Sequence, residues 1–235
     1  MPDLVPLEDL ARITRILDAP YANTFGATET GNPPASASMI EVGARPSSLA
    51  KVQSAFCEVR LVDPTDPGNG DVPDGEPGEL LMRGPTLFSG YWQNREATAE
   101  AFRNGWFHMG DLFVRNADGS LSFVDRSKYM IKSGGENIYP AEIERVLLSH
   151  PHVQEAAVVR QPDPTWGEVP IAFVARSTPS LGADALLALC KEQLASFKKP
   201  KGIVFIEMSE FPRSASGKVR RHDLEDRLPS SGEGT

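Results

Sequence analysis

Two hydroxyl groups and a carboxylate follow a glycine in NTFGATETG, at residues 23–31. The short β-prone run before Gly26 predicts a strand that leads into a loop. In such a loop Thr28 can donate a hydrogen bond to a phosphate oxygen, and Glu29 can ligate Mg²⁺ through its carboxylate oxygens. An ordinary strand-to-loop turn with a capping threonine has the same composition, so this segment alone leaves both interpretations open.

A second carboxylate, Asp111, lies in GWFHMGDL at 105–112, after a glycine and before a predicted strand. A carboxylate in this position can accept hydrogen bonds from both hydroxyls of a ribose, as acidic residues do in nucleotide sites. The alternative is an aspartate that stabilises a turn. We interpret His108 as structural, because no second histidine lies near it in the sequence to form a metal site.

Three basic side chains precede a pair of glycines in the third segment, at 124–144. The basic residues are Arg126, Lys128 and Lys132. Gly134 and Gly135 let the backbone approach a ligand closely or change conformation at little cost. A basic strand edge followed by a glycine turn and a helix is the alternative interpretation.

The fourth segment, PRSASGKVRR at 212–221, has some likeness to a phosphate-gripping P-loop. The P-loop pattern fails, because Pro212 replaces its first glycine and Val219 follows the lysine. What remains is a flexible loop that presents Lys218. Many surface lysines are merely solvated, so a basic turn without function is the alternative.

The scaffold that must position these residues begins with a predicted helix at 7–18. One face of this helix carries Leu7, Leu10, Leu17 and either Ile13 or Thr14. Short strands are predicted within 41–62, around Val42, Val52, Phe56, Val59 and Val62. A turn-rich loop at 63–78 separates them from the next strand, GELLMRG.

Two local signals complete the first part of the chain. Residues 94–102 predict a short helix with Asn94 as its N-cap. FVRNADGSLSFVDR predicts a β-hairpin that turns at 116–119, since Asp-Gly tolerates positive φ. We therefore expect a small β-barrel-like unit over 41–125.

After residue 125 helices and strands alternate, which predicts a compact α+β domain over 126–228. Pro140 begins one helix, at its favoured first position. A second helix at 183–197 has these residues facing inward: Leu186, Leu187, Cys190, Leu194 and Phe197. The last residues, 229–235, predict a disordered tail. The fold class is thus α+β.

Composition excludes several classes of protein. The formal charge is −8, which argues against a non-specific nucleic-acid binder. The chain has two cysteines, Cys57 and Cys190, and they fit reduced thiols in a cytoplasmic protein. The N-terminus does not resemble a signal peptide, and no run of 18 apolar residues predicts a membrane span.

Together, in this order and at these distances, the four segments resemble those of the adenylate-forming superfamily. This superfamily includes acyl-CoA synthetases, peptide-synthetase adenylation domains and beetle luciferases. GELLMRGPTLFSGYWQN at 78–94 also looks like a family signature. The resemblance extends from about Leu7 to Leu228. It implies that 1–125 are the C-terminal part of a large domain, and that 126–228 are a mobile C-terminal domain.

The resemblance implies an acyl-CoA ligase that uses ATP, Mg²⁺ and CoA. A carboxylic acid attacks the α-phosphate of ATP to give an acyl-adenylate and pyrophosphate, and the thiol of CoA then displaces AMP. By resemblance Thr28, Asp111 and Arg126 bind the nucleotide and Glu29 binds the metal. Lys218 is similar to the catalytic lysine that bridges the reacting carboxylate and phosphate oxygens, where negative charge gathers in the transition state.

The second half-reaction is implied to use another face of the C-terminal domain. Lys128 is at the position of the family's hinge, and Gly134 and Gly135 resemble the loop that lines the thiol tunnel. Three residues resemble positions that cradle the CoA nucleotide in some members: Trp166, Phe197 and Lys199. Tyr129 departs from the family, because many relatives have an acidic residue there.

The family's large N-terminal region, with its phosphate loop and most of the acid pocket, has no counterpart in residues 1–22. We therefore expect this chain alone to lack acyl-CoA synthesis, and we expect another segment or chain to complete the site. A peptide-synthetase-type adenylation domain is one alternative. An inactive remnant or a complementing subunit is another. The identity of the acid, fatty or aromatic, is left open.

Overall fold

The computed structural model describes residues 7–66, 68 and 70–229. These residues have a mixed α+β fold, as the sequence predicts. They divide into two compact units, with the division after Lys128. The boundary predicted from the sequence, after residue 125, is three residues earlier.

The elements of the first unit include a curled antiparallel sheet. In chain order the elements are α1 (Leu7–Leu17), β1 (Thr24–Phe25), β2 (Ala35–Ser36), β3 (Val52–Gln53), β4 (Glu58–Val62), β5 (Pro77–Arg83), α2 (Arg95–Ala101), β6 (Phe102–Arg103), β7 (Trp106–Arg115) and β8 (Leu121–Arg126). Strands β4, β5, β7 and β6 pair in that order, and β8 pairs with β7. Strands β1, β2 and β3 form a separate small sheet.

The centre of the curled sheet is β5. Its consecutive residues Leu80, Leu81 and Met82 are all buried. Because neighbouring side chains on a strand point to opposite faces, both faces of β5 must be covered. Phe113 of β7 is also fully buried and packs edge-on against Phe25, with ring centroids 4.6 Å apart. The sheet is therefore a rigid support for residues at its edges.

Two elements of the first unit, the N-cap of α2 and the hairpin between β7 and β8, were predicted correctly from short sequence patterns. Oδ1 of Asn94 accepts a hydrogen bond from the amide of Ala97 at 3.0 Å, which confirms the predicted N-cap of α2. The amide of Asn116 donates to the carbonyl of Ser120 at 2.8 Å, and Gly119 has φ +81°, which confirms the hairpin between β7 and β8.

The predicted inward face of α1 was partly wrong. Leu10 and Thr14 are buried, but Ile13 and Leu17 are 41% and 68% exposed. The hydroxyl of Thr14 accepts a hydrogen bond from the amide of Gly43 at 2.9 Å, so this side of the helix meets the loop before β3. The helix packs along that one line, whereas Ile13, Ile16 and Leu17 are exposed.

The strands predicted within 41–62 are shorter than expected. The structure has β3 at Val52–Gln53 and β4 at Glu58–Val62, and Val42 lies outside both. Phe56 lies in a turn and is 68% exposed. β-propensity at Val42 and Phe56 was overridden because neither residue finds a partner strand or a covered face.

The second unit is a sheet covered by helices. Its elements are β9 (Ile131–Ser133), β10 (Glu136–Ile138), α3 (Pro140–Leu148), β11 (Val153–Asp163), β12 (Gly167–Arg176), α4 (Ala183–Gln193), β13 (Gly202–Phe205) and α5 (Arg221–Glu225). The strand order is β10-β9-β12-β11, and β13 runs parallel to β12 on its other side. Pro140 is at the first turn of α3, as predicted.

Alternate residues of β11 and β12 contribute to two cores. On one face Val158 and Val174 pack in a cluster with Ile143 and Leu147 of α3 and Leu186 of α4. On the other face a second cluster contains Val159, Phe173, Phe211 and Leu224. This two-residue period explains the near-continuous apolar runs of both strands, since both faces of the sheet are covered.

Phe197 corrects the prediction for the second helix. Helix α4 ends at Gln193, Leu194 adopts an extended conformation, and Phe197 is 44% exposed in a short 3₁₀ turn. The change of direction at Leu194 takes Phe197 out of helical phase, so it does not face inward.

Of the predicted tail, only Pro229 lies within the described residues. Among the described residues, no helix has the length and apolar character to cross a membrane.

Both cysteines are free thiols. Cys57 is partly exposed, whereas Cys190 is fully buried in the core beneath α4. Burial raises the pKa of both thiols, and that of Cys190 reaches about 11. Both side chains therefore stay protonated at neutral pH, and Cys190 acts as a small apolar residue.

We expect residues 129–229 to fold alone, because the two clusters above cover both faces of the sheet. Thermal and urea unfolding of this segment, followed by circular dichroism, should show one cooperative transition with a free energy of unfolding of about 5 kcal/mol or more. Ile143→Ala, a cavity-forming control, should lower that free energy by about 2–5 kcal/mol. A gradual transition that Ile143→Ala leaves unchanged would contradict the expectation.

Candidate functional site

Asp111 and Arg126, both predicted from the sequence to bind a nucleotide, form one ion pair in the first unit. They are register partners on β7 and β8. Nε of Arg126 donates to Oδ1 of Asp111 at 2.9 Å, and Nη2 donates to Oδ2 at 3.3 Å. This two-pronged contact fixes the plane of the carboxylate. Each carboxylate oxygen still has lone pairs for a hydroxyl donor.

A bulge in β7 determines where Asp111 lies. Leu81 of β5 pairs with His108, but Glu79 pairs with Leu112, so β7 has extra residues between these two pairs. Gly110 lies in this bulge with φ +71°, a conformation that favours glycine. Bulges of this kind re-aim a side chain relative to the regular strand. The glycine before Asp111 is therefore required by the backbone.

Glu79 holds the bulge in place. Its Oε1 accepts a hydrogen bond from the amide of Gly110 at 3.1 Å, and its Oε2 lies 3.2 Å from Nδ1 of His108. Nη2 of Arg103 is 2.8 Å from the same histidine nitrogen. The carbonyl of Gly110 accepts from the hydroxyl of Ser127 at 3.3 Å. Both backbone groups of Gly110 are thus held by side chains.

Sequence reasoning missed Glu79, although a signal was present. Glu79 is 8% exposed and precedes the buried Leu80, so it is a carboxylate inside an apolar strand. A buried carboxylate needs hydrogen-bond partners, and here it finds them at the bulge. His108, interpreted as structural, takes part in this network, and its Nε2 is buried without a hydrogen-bond partner among the described residues.

Thr28 and Glu29 lie in a short 3₁₀ turn after β1. Thr28 is exposed, and Oε1 of Glu29 accepts a hydrogen bond from the hydroxyl of Tyr91 at 3.1 Å. Burial raises the pKa of Tyr91, and the hydrogen bond to Glu29 raises it further. The phenol therefore remains a donor at neutral pH and orients the carboxylate.

An aromatic cluster connects the Glu29 loop with the strand that carries Asp111. Phe88 lies 4.8 Å from Tyr91 and 5.4 Å from Phe107 between ring centroids. The amide of Phe88 also donates to the carbonyl of Glu29 at 2.9 Å. Because Phe107 belongs to β7, the cluster sets the Glu29 loop at a defined position relative to that strand. The structure thereby joins two segments that are far apart in the sequence.

The chemistry of Glu29 suits a magnesium ion that keeps most of its waters. Magnesium in nucleotide sites is bound by one or two carboxylates together with phosphate oxygens and water. Glu29 offers a partly exposed carboxylate whose Oε1 is already oriented by Tyr91. Within the described ranges no three acidic, histidine or cysteine residues group into a protein-only metal cage.

Lys218 lies in the second unit, and the loop that presents it forms a short hairpin. The amide of Ser214 donates to the carbonyl of Lys218 at 2.8 Å, and the amide of Gly217 donates to the carbonyl of Ser214 at 2.8 Å. Gly217 has φ +78°, which lets the turn close. Nη2 of Arg213 binds Oε2 of Glu155 at 2.6 Å and ties the hairpin to β11. Lys218 itself is exposed at the end of this hairpin.

Gly134 and Trp166, assigned from the sequence to the thiol tunnel and to CoA, lie against each other. The amide of Gly134 donates to the carbonyl of Trp166 at 2.8 Å. A Cβ at Gly134 would lie 2.7 Å from Cε3 of the Trp166 ring. Gly134 and Gly135 both have positive φ, at +58° and +89°. The backbone conformation therefore favours glycine at both positions. At Gly134 the neighbouring Trp166 ring also leaves no room for a Cβ.

A basic side chain that was not predicted accompanies Trp166. Nζ of Lys201 lies 5.7 Å from the centroid of the Trp166 ring. Lys199 is partly exposed, and the neighbouring Lys198 binds both carboxylate oxygens of Glu142. Phe197 is exposed, as a residue that contacts a ligand would be. The run of lysines around Pro200 was the available signal for Lys201.

Lys128 is exposed and is the last residue of the first unit. It lies in a 3₁₀ turn, Ser127–Tyr129, between β8 and β9. This turn is the covalent connection between the two units.

Comparison with known proteins places these segments in one family. The family described as AMP-binding enzyme matches residues 4–92, and the AMP-binding enzyme C-terminal domain matches residues 142–218. A 2-succinylbenzoate–CoA ligase from Geobacillus kaustophilus is 42% identical over 221 residues, which cover 90% of this chain and 42% of that protein. A feruloyl-CoA synthase from Amycolatopsis sp. is 44% identical over 180 residues, 76% of this chain and 36% of that protein.

A solved structure supports the same relationship. O-succinylbenzoate coenzyme A synthetase from Bacillus subtilis, in complex with ATP and magnesium ion, superposes with a TM-score of 0.76 at 34% identity. The superposition covers 94% of this chain and 44% of that one. The chain thus spans less than half the length of these relatives. It belongs to the AMP-binding, adenylate-forming enzyme family.

Proposed function

We propose that this chain carries the ribose, metal and C-terminal parts of an ATP-dependent acid–thiol ligase. The observation that carries the proposal is the ion pair between Asp111 and Arg126, held by the braced bulge at Gly110. A buried carboxylate with a fixed plane is suited to two adjacent hydroxyls, which a ribose supplies. The named relatives are CoA ligases, and one related structure binds ATP with magnesium.

In the first half-reaction a carboxylic acid attacks the α-phosphate of ATP. We assign Asp111 and Arg126 to the ribose, and we assign the exposed hydroxyl of Thr28 to a phosphate oxygen. Glu29 would hold a magnesium ion, which would neutralise charge on the phosphates. Lys218 donates to the oxygens on which negative charge gathers, and the hydrogen bonds of its hairpin reduce the reorganisation that this contact requires.

In the second half-reaction the thiol of CoA displaces AMP from the acyl-adenylate. We assign the Gly134–Gly135 loop to the path of the thiol. Trp166 offers a face for an adenine ring. The lysines that follow Phe197, among them Lys199, offer positive charge for phosphates. Rotation about Lys128 would exchange the Lys218 hairpin for the glycine loop between the two steps.

The acid is a small-molecule carboxylate whose identity the residues on this chain do not define. The relatives are named for 2-succinylbenzoate, ferulate and long-chain fatty acids. We propose that the phosphate loop and most of the acid pocket come from a segment equivalent to the remaining length of these relatives. The tests below therefore use a complete synthetase that contains this region.

Lys218→Ala should abolish most of the adenylation activity and spare thioester formation. We expect a loss of at least 100-fold in acyl-adenylate formation, about 2.7 kcal/mol, which is typical of losing one preorganised electrostatic contact. Pyrophosphate release measures the first step, and CoA consumption from a supplied acyl-adenylate measures the second. Lys199→Ala is the matched control and should leave the first step intact. Equal losses in both steps would refute the assignment of Lys218.

Glu79→Ala should raise the KM for ATP about tenfold. The substitution leaves the amide of Gly110 without its acceptor, and an unsatisfied buried donor costs about 1–3 kcal/mol. Glu79→Gln keeps an acceptor oxygen and should retain a KM within about threefold of the parent protein. A lower melting temperature with an unchanged KM for ATP would show that the bulge does not position Asp111.

Gly134→Ala should slow thioester formation at least tenfold more than Gly135→Ala. Both substitutions place a side chain at positive φ, but only the first would bring a Cβ against the Trp166 ring. Adenylation should be nearly unchanged in both variants. Single-turnover transfer from a supplied acyl-adenylate to CoA measures the difference, and equal rates for the two variants would contradict a role for Gly134–Trp166 packing.

A further inference from the structure

Arg221 lies three residues after Lys218, at the start of α5, and is 8% exposed. Its Nη2 lies 2.6 Å from both carboxylate oxygens of Glu144, a residue of α3 that is 1% exposed. Oε1 of Glu144 also accepts from the amide of Val158 on β11 at 2.7 Å. One buried ion pair therefore connects α5, α3 and the central sheet.

The same guanidinium contacts Tyr129. Its central carbon lies 4.4 Å from the centroid of the tyrosine ring. Tyr129 is the first residue of the second unit and follows Lys128 directly. Arg221 thus uses its hydrogen-bonding edge for Glu144 and its flat face for Tyr129, which a lysine cannot do at the same time.

Short covalent and hydrogen-bonded steps connect Arg221 with Lys218. The amide of Arg220 donates to the carbonyl of Pro212 at 2.8 Å and closes the base of the hairpin. Above it Arg213 and Val219 form an isolated β-bridge. Because the base of the hairpin is adjacent to Arg221, a shift of that side chain would move the whole hairpin and the lysine on it.

We propose that Arg221 is a positioning residue for Lys218, held by Glu144 and by stacking on Tyr129. It fixes the lysine hairpin to the residue that follows the hinge, so the two move as one body. This inference rests on the proposed role of Lys218 in adenylation. It extends that role to a buried arginine whose side chain points into the protein and contacts no substrate.

Tyr129 is suited to this arrangement where an acidic residue would not be. The family resemblance leads one to expect an acidic residue at 129. A carboxylate there would compete with Glu144 for the donors of Arg221. An aromatic ring binds the guanidinium face instead and leaves the donor edge to Glu144.

Hydrogen exchange on this 235-residue chain tests the anchoring without any assay of activity. The substitutions are Arg221→Lys, which keeps the charge, Tyr129→Ala, which removes the ring, and Tyr129→Phe, the control that keeps it. Arg221→Lys and Tyr129→Ala should each speed exchange at the amides of Ser214, Gly217 and Arg220 at least tenfold. Amides in β12 should be unchanged, and Tyr129→Phe should match the parent. Unchanged hairpin exchange in Arg221→Lys and Tyr129→Ala would overturn the proposal.

The kinetic test uses a complete synthetase that contains this region. Arg221→Lys and Tyr129→Ala should lower the kcat of adenylation at least tenfold and leave the KM for ATP within about twofold. Both variants should retain thioester formation from a supplied acyl-adenylate. The control, Tyr129→Phe, should retain adenylation at the rate of the parent protein. Equal loss of both half-reactions would show a merely structural role and would refute the proposal.

Failure of the proposed function gives a different result. In that case Lys218→Ala would leave adenylation intact, and the hydrogen-exchange experiment would still decide whether Arg221 anchors the hairpin. If Lys218→Ala is inactive while Arg221→Lys and Tyr129→Ala are normal in both steps, the function stands and the positioning role is wrong.

Discussion

The pairing of Asp111 with Arg126 is the interaction on which the site in the first unit depends. It requires neighbouring strands, β7 and β8, and a local departure from regular strand geometry at Gly110. Glu79 and Ser127 hold the backbone of that glycine from two sides. The buried β5 in turn gives Glu79 a fixed base. The site therefore follows from sheet register, and each charged group in it is satisfied by a partner that the sheet supplies.

The second unit uses a similar device with different elements. Glu144 lies in the otherwise apolar inner face of α3, just as Glu79 lies in an otherwise apolar strand. Each carboxylate holds a turn or hairpin that presents a polar group outward. A buried charge without partners is strongly unfavourable, so such residues are tolerated only where several donors converge. The donors are the amide of Gly110 for Glu79, and the amide of Val158 together with Arg221 for Glu144.

The sequence predicted the features that depend on a few adjacent residues. Asn94 and the Asp-Gly turn at Gly119 act within one turn of the chain, so their chemistry is visible locally. The sequence-based predictions were wrong where tertiary packing determines which side chains are buried. Helical periodicity placed Leu17 and Phe197 inward, yet Leu17 lies on an uncovered side of α1, and Phe197 lies beyond the end of α4. The contacts of Glu29 with Tyr91 and of Glu144 with Arg221 join residues that are 62 and 77 positions apart, which no local pattern encodes.

The packing of Trp166 on Gly134 gives the second unit a built-in optical reporter. The chain has tryptophans at 92, 106 and 166, so a protein comprising residues 129–229 contains one indole. That indole is about half exposed, touches the glycine loop and has an ammonium group near its face. Its emission wavelength and its quenching by iodide or acrylamide therefore depend on the state of this one loop. Movement or occupancy there can be followed in solution without a label.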